Sequence, residues 1–173
     1  MSDSIESIRK SLKQEIECAF SGRPLPPPER IALERNEYPD YEGNAVGRFF
    51  TGKQWREITL ESLTTQYGGD GSSCLAFLQP EALLYYLPAY LSMVLEIEDT
   101  DMVGDSVLFM LAKPGTAADP ILVSRFAAFN NLTSMEKKAV RHVLEFLAEQ
   151  EARRGDPNGD AEKALESHWR QIA

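Results

Sequence analysis

The chain has 173 residues, 43% of them hydrophobic and 26% charged, which fits one globular core and argues against wholesale disorder. Its formal charge of −9 at pH 7 disfavours unaided binding to nucleic-acid phosphates or anionic membranes. The same field suits a basic protein partner.

The first twenty residues, "MSDSIESIRKSLKQEIECAF", alternate charges with isolated apolar residues and contain no continuous apolar run, so they do not read as a secretory signal. Ile5, Ile8, Leu12, Ile16, Ala19 and Phe20 recur at three- and four-residue steps. This spacing predicts a helix from Ser4 to Phe20 with one apolar stripe. A cytoplasmic location follows as the expectation, with the two cysteines, Cys18 and Cys74, as reduced, small buried hydrophobes rather than a disulfide or a metal pair.

"SGRPLPPPER" stops the helix, with Gly22 placed to cap it and the prolines enforcing an extended connector. After Arg23 and Pro26 the next position of a proline-ligand repeat holds Glu29, so the segment reads as a spacer. The organisation expected is one helical domain: helix 1–21, connector 22–29, body 30–173. Within the body, a short helical turn is expected through Ile31 and Leu33, then a loop over "NEYPDYEGN", with Tyr38 held extended by Pro39. Two apolar clusters follow, Val46-Phe49-Phe50 and Trp55-Ile58-Leu60-Leu63, separated by a break at Gly52. Thr59 is the expected N-cap of a helix to Tyr67. "GGDGSS" is a turn; no phosphate-binding lysine follows it.

"PEALLYYLPAYLSMVLE" is the most apolar stretch. Its 14 uncharged residues between Glu81 and Glu96 fall short of the about 20 that span a bilayer. Apolar residues all round predict a buried helix, started at Pro80 and kinked or broken at Pro88, which withholds an N–H from the carbonyl of Leu84 at a cost of roughly 3 kcal/mol if unrelieved. A tyrosine hydroxyl or a water is the expected donor to that carbonyl. The next helix should be capped by Asp99 or Thr100 and bury Met102, Val103, Val107, Leu108 and Leu111. Another starts at Asp119-Pro120 with Ile121, Leu122, Phe126 and Phe129 on one broad face. Thr133 and Glu136 stand in capping-box spacing before a long helix with Met135, Ala139, Val143, Phe146 and Leu147 inward. A last helix begins at Asp160 with Leu165, Trp169 and Ile172 on one face. No window alternates as a strand does, so the fold class is all-α, a helical bundle around the proline-bent helix.

The chemical motifs are sparse. "DPNGDAEKALES" places Asp156, Asn158 and Asp160 at alternate positions but has Ala161 at the sharp-turn glycine position and Ser167 at the bidentate-glutamate position, which fails a calcium loop. His142 and His168 form no zinc spacing, and neither cysteine sits in a nucleophile signature. No catalytic residue, metal or cofactor is therefore assigned. The acidic junction "EIEDTDMVGD" offers Glu96, Glu98, Asp99, Asp101 and Asp105, first as helix caps, then as a docking surface for a Lys- and Arg-rich protein.

"FTGKQW" and "PEALLYYLPAYL" together resemble an uncharacterised family of small bacterial proteins, a domain of unknown function with F-x-G-K-x-W and P-E-A-x-x-Y-Y-L-P-A-Y-L elements. Phe50, Gly52, Lys53 and Trp55 carry the first; Pro80, Glu81, Ala82, Tyr85, Tyr86, Leu87, Pro88, Ala89, Tyr90 and Leu91 carry the second. Around Leu132 to Leu147 the "LTxxE…VxxFL" pattern is similar too. The resemblance covers residues 30–150 and implies a helical fold and a bacterial source, with no catalytic residues to carry over.

The function expected is a non-catalytic interaction protein, most concretely an immunity or antitoxin-like protein that occludes a basic toxin, with no nucleic-acid or membrane partner. The alternative is a small-molecule binder or enzyme whose pocket is lined by Glu81, Tyr85, Tyr86 and Tyr90 beside the Pro88 break, with Arg125 or His142 opposite.

Overall fold

Leu12, Ile16 and Phe20 stand four residues apart, so a helix through them presents one ridge. In the computed structural model, which describes residues 2–33, 41–96 and 102–171, that helix is α1 (Ser2–Phe20). Leu12, Ile16 and Phe20 are buried, but Ile8, one turn earlier on the same stripe, is 43% exposed. The proline run then proceeds extended to a 3₁₀ turn at Pro28–Arg30. The helical turn expected through Ile31 and Leu33 does not form. These residues instead pair antiparallel with the segment just before Pro80: the Leu33 N–H donates to Phe77 O (2.7 Å) and the Gln79 N–H to Ile31 O (2.9 Å). This bridge satisfies backbone that would otherwise be buried unpaired, and the described residues contain no strand.

The loop expected over "NEYPDYEGN" ends earlier than predicted, because α2 (Tyr41–Phe50) already includes Tyr41 to Asn44. Tyr38 lies outside the described residues. Gly52, at φ 77°, turns the chain between the two apolar clusters, a conformation a Cβ makes costly. Thr59 caps α3 (Leu60–Ser62), accepting from the Ser62 N–H at 3.1 Å, and the helix widens over Leu63–Tyr67 before Gly68 closes it at φ 72°.

Pro80 opens α4 (Pro80–Val94), which runs as one helix through Pro88, so of the kink or break expected there the break into two short helices does not occur. Every residue from Ala82 to Leu91 is buried. Each large apolar side chain so enclosed contributes about 1.5–3 kcal/mol. α4 touches α1, α5 (Met102–Leu111), α6 (Pro120–Ala128) and the Trp55 turn, while α7 (Ser134–Arg153) packs on α1 and on α8 (Asp160–Ser167). Asp99 and Thr100, the expected caps of α5, lie outside the described residues, as does Ile172. Asp119 caps α6 by accepting from the Ile121 N–H at 2.7 Å, and Thr133 with Glu136 caps α7 in both directions.

Besides Ile8, three residues assigned inward by periodicity point to solvent: Met102, Ile121 and Met135. Each sits in the first turn of its helix, where a stripe has not yet reached a neighbour. Cys18 is exposed, against expectation, whereas Cys74 is buried. The C-terminal turn is tied down by Trp169, fully buried, whose indole N–H donates to Leu111 O at 2.8 Å. No described helix is long and apolar enough to cross a membrane.

Candidate functional site

The tyrosines of α4 are built into the core. Tyr86 lies under the Gly52 turn, and its hydroxyl donates to the carbonyls of Phe50 (2.8 Å) and Lys53 (3.0 Å), with its ring 4.6 Å from that of Phe50. The F-x-G-K-x-W and P-E-A-x-x-Y-Y-L-P-A-Y-L elements therefore meet in space, one supplying carbonyl acceptors and the other the hydroxyl donor. Committed there, Tyr86 does not serve the Leu84 carbonyl. Tyr85 is buried edge-on against Tyr86 at 4.9 Å. Tyr90 faces the Cys74 thiol and Tyr67; burial pushes the thiol up to about 11 and the Tyr90 phenol well above its ordinary value. A thiol so placed is protonated at neutral pH and is not a nucleophile. Glu81 stands outside at the start of α4, paired with Arg30 at 3.1 Å. Glu81 is thus exposed while the three tyrosines are buried, and neither described hollow is lined by any of the four.

Arg125 and His142 are bonded to other groups. Arg125 is buried and donates to the backbone carbonyls of Ala76 and Leu78, closing the turn that leads into α4. His142 joins α7 to α1 through Glu15, 2.8 Å away. Among the described residues no three His, Cys, Asp or Glu side chains gather as a metal site would require.

Two surface features stand out among the described residues. The first is a hollow of about 270 Å³ between α1, the Trp55 turn and the C-terminal half of α4. Trp55, Ile58, Ala89 and Met93 supply its apolar wall, and two ion pairs cross its mouth, Lys13–Glu96 and Arg56–Glu17. A pocket near the α4 proline does exist, with Ala89, Ser92, Met93 and Glu96 as its α4 contribution and none of the α4 tyrosines in its lining. Sequence reasoning had no local signal for it, because its walls come from three segments that the fold alone brings together.

The second feature is the α5–α6 face. Val103, Val107, Leu108 and Leu111 turn inward, so Met102, Asp105 and Phe109, at steps of three and four, form the outward stripe of α5. Met102 is 62% and Phe109 64% exposed, and Ile121 and Val123 on α6 are also exposed. Between the helices a depression of about 250 Å³ is walled by Phe109 and Leu122, with Lys113 at its edge. Of the acidic junction, Glu96 belongs to the first feature and Asp105 to this second one; Glu98, Asp99 and Asp101 lie outside the described residues. The signal for Phe109 was present in the sequence, since α5 carries two apolar stripes and one helix face cannot bury both.

No curated protein and no solved structure matches the chain. The helical order from α1 to the Trp169 turn is instead the extent of a single family match, wider at both ends than residues 30–150: by that match the chain belongs to the Family of unknown function (DUF6714), over residues 8–173.

Proposed function

We propose that this domain is a non-catalytic binding protein that docks a basic protein partner on its α5–α6 face. The observation that carries the reading is the α5 stripe, where Asp105 is set between exposed Met102 and Phe109, and Phe109 walls the depression together with Leu122. Exposed aromatic and methionine side chains around a concavity are the anchors of protein interfaces, while a carboxylate among them selects for a partner's lysine or arginine. The charge of −9 adds long-range steering of a basic partner, with an association rate that falls as salt rises.

Within this reading the domain acts as a bacterial immunity or antitoxin protein does, by covering the working surface of a toxic partner. The test is co-expression with the product of the neighbouring gene. Growth should be rescued by the wild type and not by Phe109→Asp or Asp105→Lys, and a complex should elute together in size-exclusion chromatography. An anchor of this kind is worth about 2 kcal/mol or more, near thirty-fold in Kd. Absence of both rescue and complex, or rescue undiminished by the two variants, overturns the proposal.

A further inference from the structure

The hollow between α1, the Trp55 turn and α4 lies outside the α5–α6 face and has its own chemistry. Its wall is apolar: Trp55, Ile58, Ala89 and Met93 are all buried residues that border it. Its mouth holds four charged groups of alternating sign. Lys13 of α1 pairs with Glu96 at the end of α4, and Glu17, one turn along from Lys13, pairs with Arg56, whose Nε approaches Glu17 Oε1 at 2.6 Å. The guanidinium of Arg56 also lies over the Trp55 ring, 4.4 Å from its centre, so the aromatic wall and the charged rim are one unit.

Two properties of this rim define what it can hold. First, it is balanced, with two cations and two anions. A ligand with a single charge satisfies one protein group and strips its former partner of compensation. A ligand carrying both an ammonium and a carboxylate exchanges both pairs and leaves none unpaired. Second, the pairs are solvent-exposed, with the four side chains between 39% and 56% accessible. Ion pairs of that kind contribute about 0–1 kcal/mol each, so opening them for a ligand costs little. The volume of about 270 Å³ lies below the roughly 300 Å³ at which drug-sized pockets begin, which limits the ligand to a small molecule.

We propose that this hollow binds a small zwitterion of the α-amino-acid type with an apolar side chain. The side chain lies against Trp55 and Met93, the carboxylate takes the fork of Arg56 and the ammonium of Lys13, and the ligand's ammonium takes Glu96 and Glu17. The carboxylate–guanidinium contact supplies orientation, because the planar fork accepts two oxygens in one geometry.

The experiment is a titration of the full chain with L-phenylalanine, L-leucine and L-methionine, read by calorimetry and by Trp55 fluorescence. N-acetyl-L-phenylalanine and L-phenylalaninamide, each missing one charge, are the comparisons. Saturable binding is expected for at least one free amino acid, weakened tenfold or more in both capped forms. Glu96→Gln and Lys13→Gln, at exposed positions, should each weaken it similarly while the far-UV spectrum and melting temperature stay near wild type. Ser92→Leu, which fills the hollow from its half-exposed side, should abolish binding with the ion pairs intact. No saturable signal at millimolar ligand, equal affinity for a capped form, or wild-type affinity in the Glu96 and Lys13 variants overturns the assignment.

Discussion

The buried carboxylate of Glu136 is the most exacting electrostatic feature of the fold. It is 2% exposed, accepts the Thr133 N–H at 2.7 Å, and is clasped by the Nε and Nη2 of Arg23, the latter at 2.8 Å from Oε2. Arg23 reaches it from the proline connector and also donates to Asn131 O at 3.2 Å. Replacing Arg23 by Ala leaves a buried charge with one backbone donor. Removing one partner of a buried pair costs 3–5 kcal/mol. Because Arg23 is itself 21% exposed, water reaches the vacated position, and the expected loss falls to about 2–3 kcal/mol. In urea, with an m-value near 2 kcal/mol/M, the midpoint should drop by about 1–1.5 M, followed by far-UV circular dichroism. Adding Glu136→Gln should recover about 1 kcal/mol or more of that loss, since an amide tolerates the missing cation. Arg170→Ala is the control: its pairs with Glu162 and Glu166 are surface pairs, worth about 0–1 kcal/mol. A single Arg23→Ala variant within about 0.5 kcal/mol of wild type, or no coupling in the double variant, would refute the reasoning.

Glu151 gives a pH test. Its carboxylate accepts the Ala161 N–H at the start of α8, yet burial pushes its pKa above the ordinary 4.5. A raised native pKa means that the folded chain holds the proton more tightly than the unfolded chain. The stability this group contributes is therefore full below pH 4.5 and is lost as pH rises through the raised value. Glu151→Gln keeps an acceptor and removes the titration, so its stability relative to wild type should grow from pH 4.5 to 7 in urea melts; a relative decline contradicts the assignment. Tyr86→Phe, which removes the hydroxyl shared by the Phe50 and Lys53 carbonyls while Phe50 O keeps the Lys53 N–H, should lower stability by about 1–2 kcal/mol in the same assay, and an unchanged midpoint would show the turn is held otherwise. A thiol reagent should label Cys18 alone in the native chain and both cysteines in denaturant; rapid native labelling of Cys74 would mean that its site opens.

Where local rules govern, the sequence was legible. Thr133 and Glu136, Asp119 before Pro120, Thr59, and Pro80 at the head of α4 are caps written within four residues, and each does what its spacing predicts. The all-α class followed from periodicity for the same reason. Periodicity failed at Met102, Ile121 and Met135 because a helical wheel records which residues are apolar, not which neighbour stands opposite. It failed again at Ile31 and Leu33, whose conformation is set by Phe77 and Gln79 more than forty positions away. The candidate sites were less legible still. Lys13 and Glu96 are separated by 83 positions, and no local pattern announces that they share a rim. The tyrosines of α4 looked like pocket residues because a phenol is amphipathic; in the fold the Tyr86 hydroxyl serves backbone and the Tyr90 hydroxyl faces a buried thiol.

The clasp between Arg23 and Glu136 also orders events in time. α1 rests on α7, and the connector behind it is fastened to the first turn of α7, so neither contact exists until that turn has been made. At 5–20 residues per second, the 116 residues between Phe20 and Glu136 take about 6–23 s to synthesise. Through that interval the ridge of Leu12, Ile16 and Phe20 has no docking face on α7 and is a natural hold for a chaperone. Stalled nascent chains that end before Glu136 should accordingly be cut within α1 by protease, and chains stalled well beyond α7 should resist; equal resistance in both would place the docking of α1 on α4 alone.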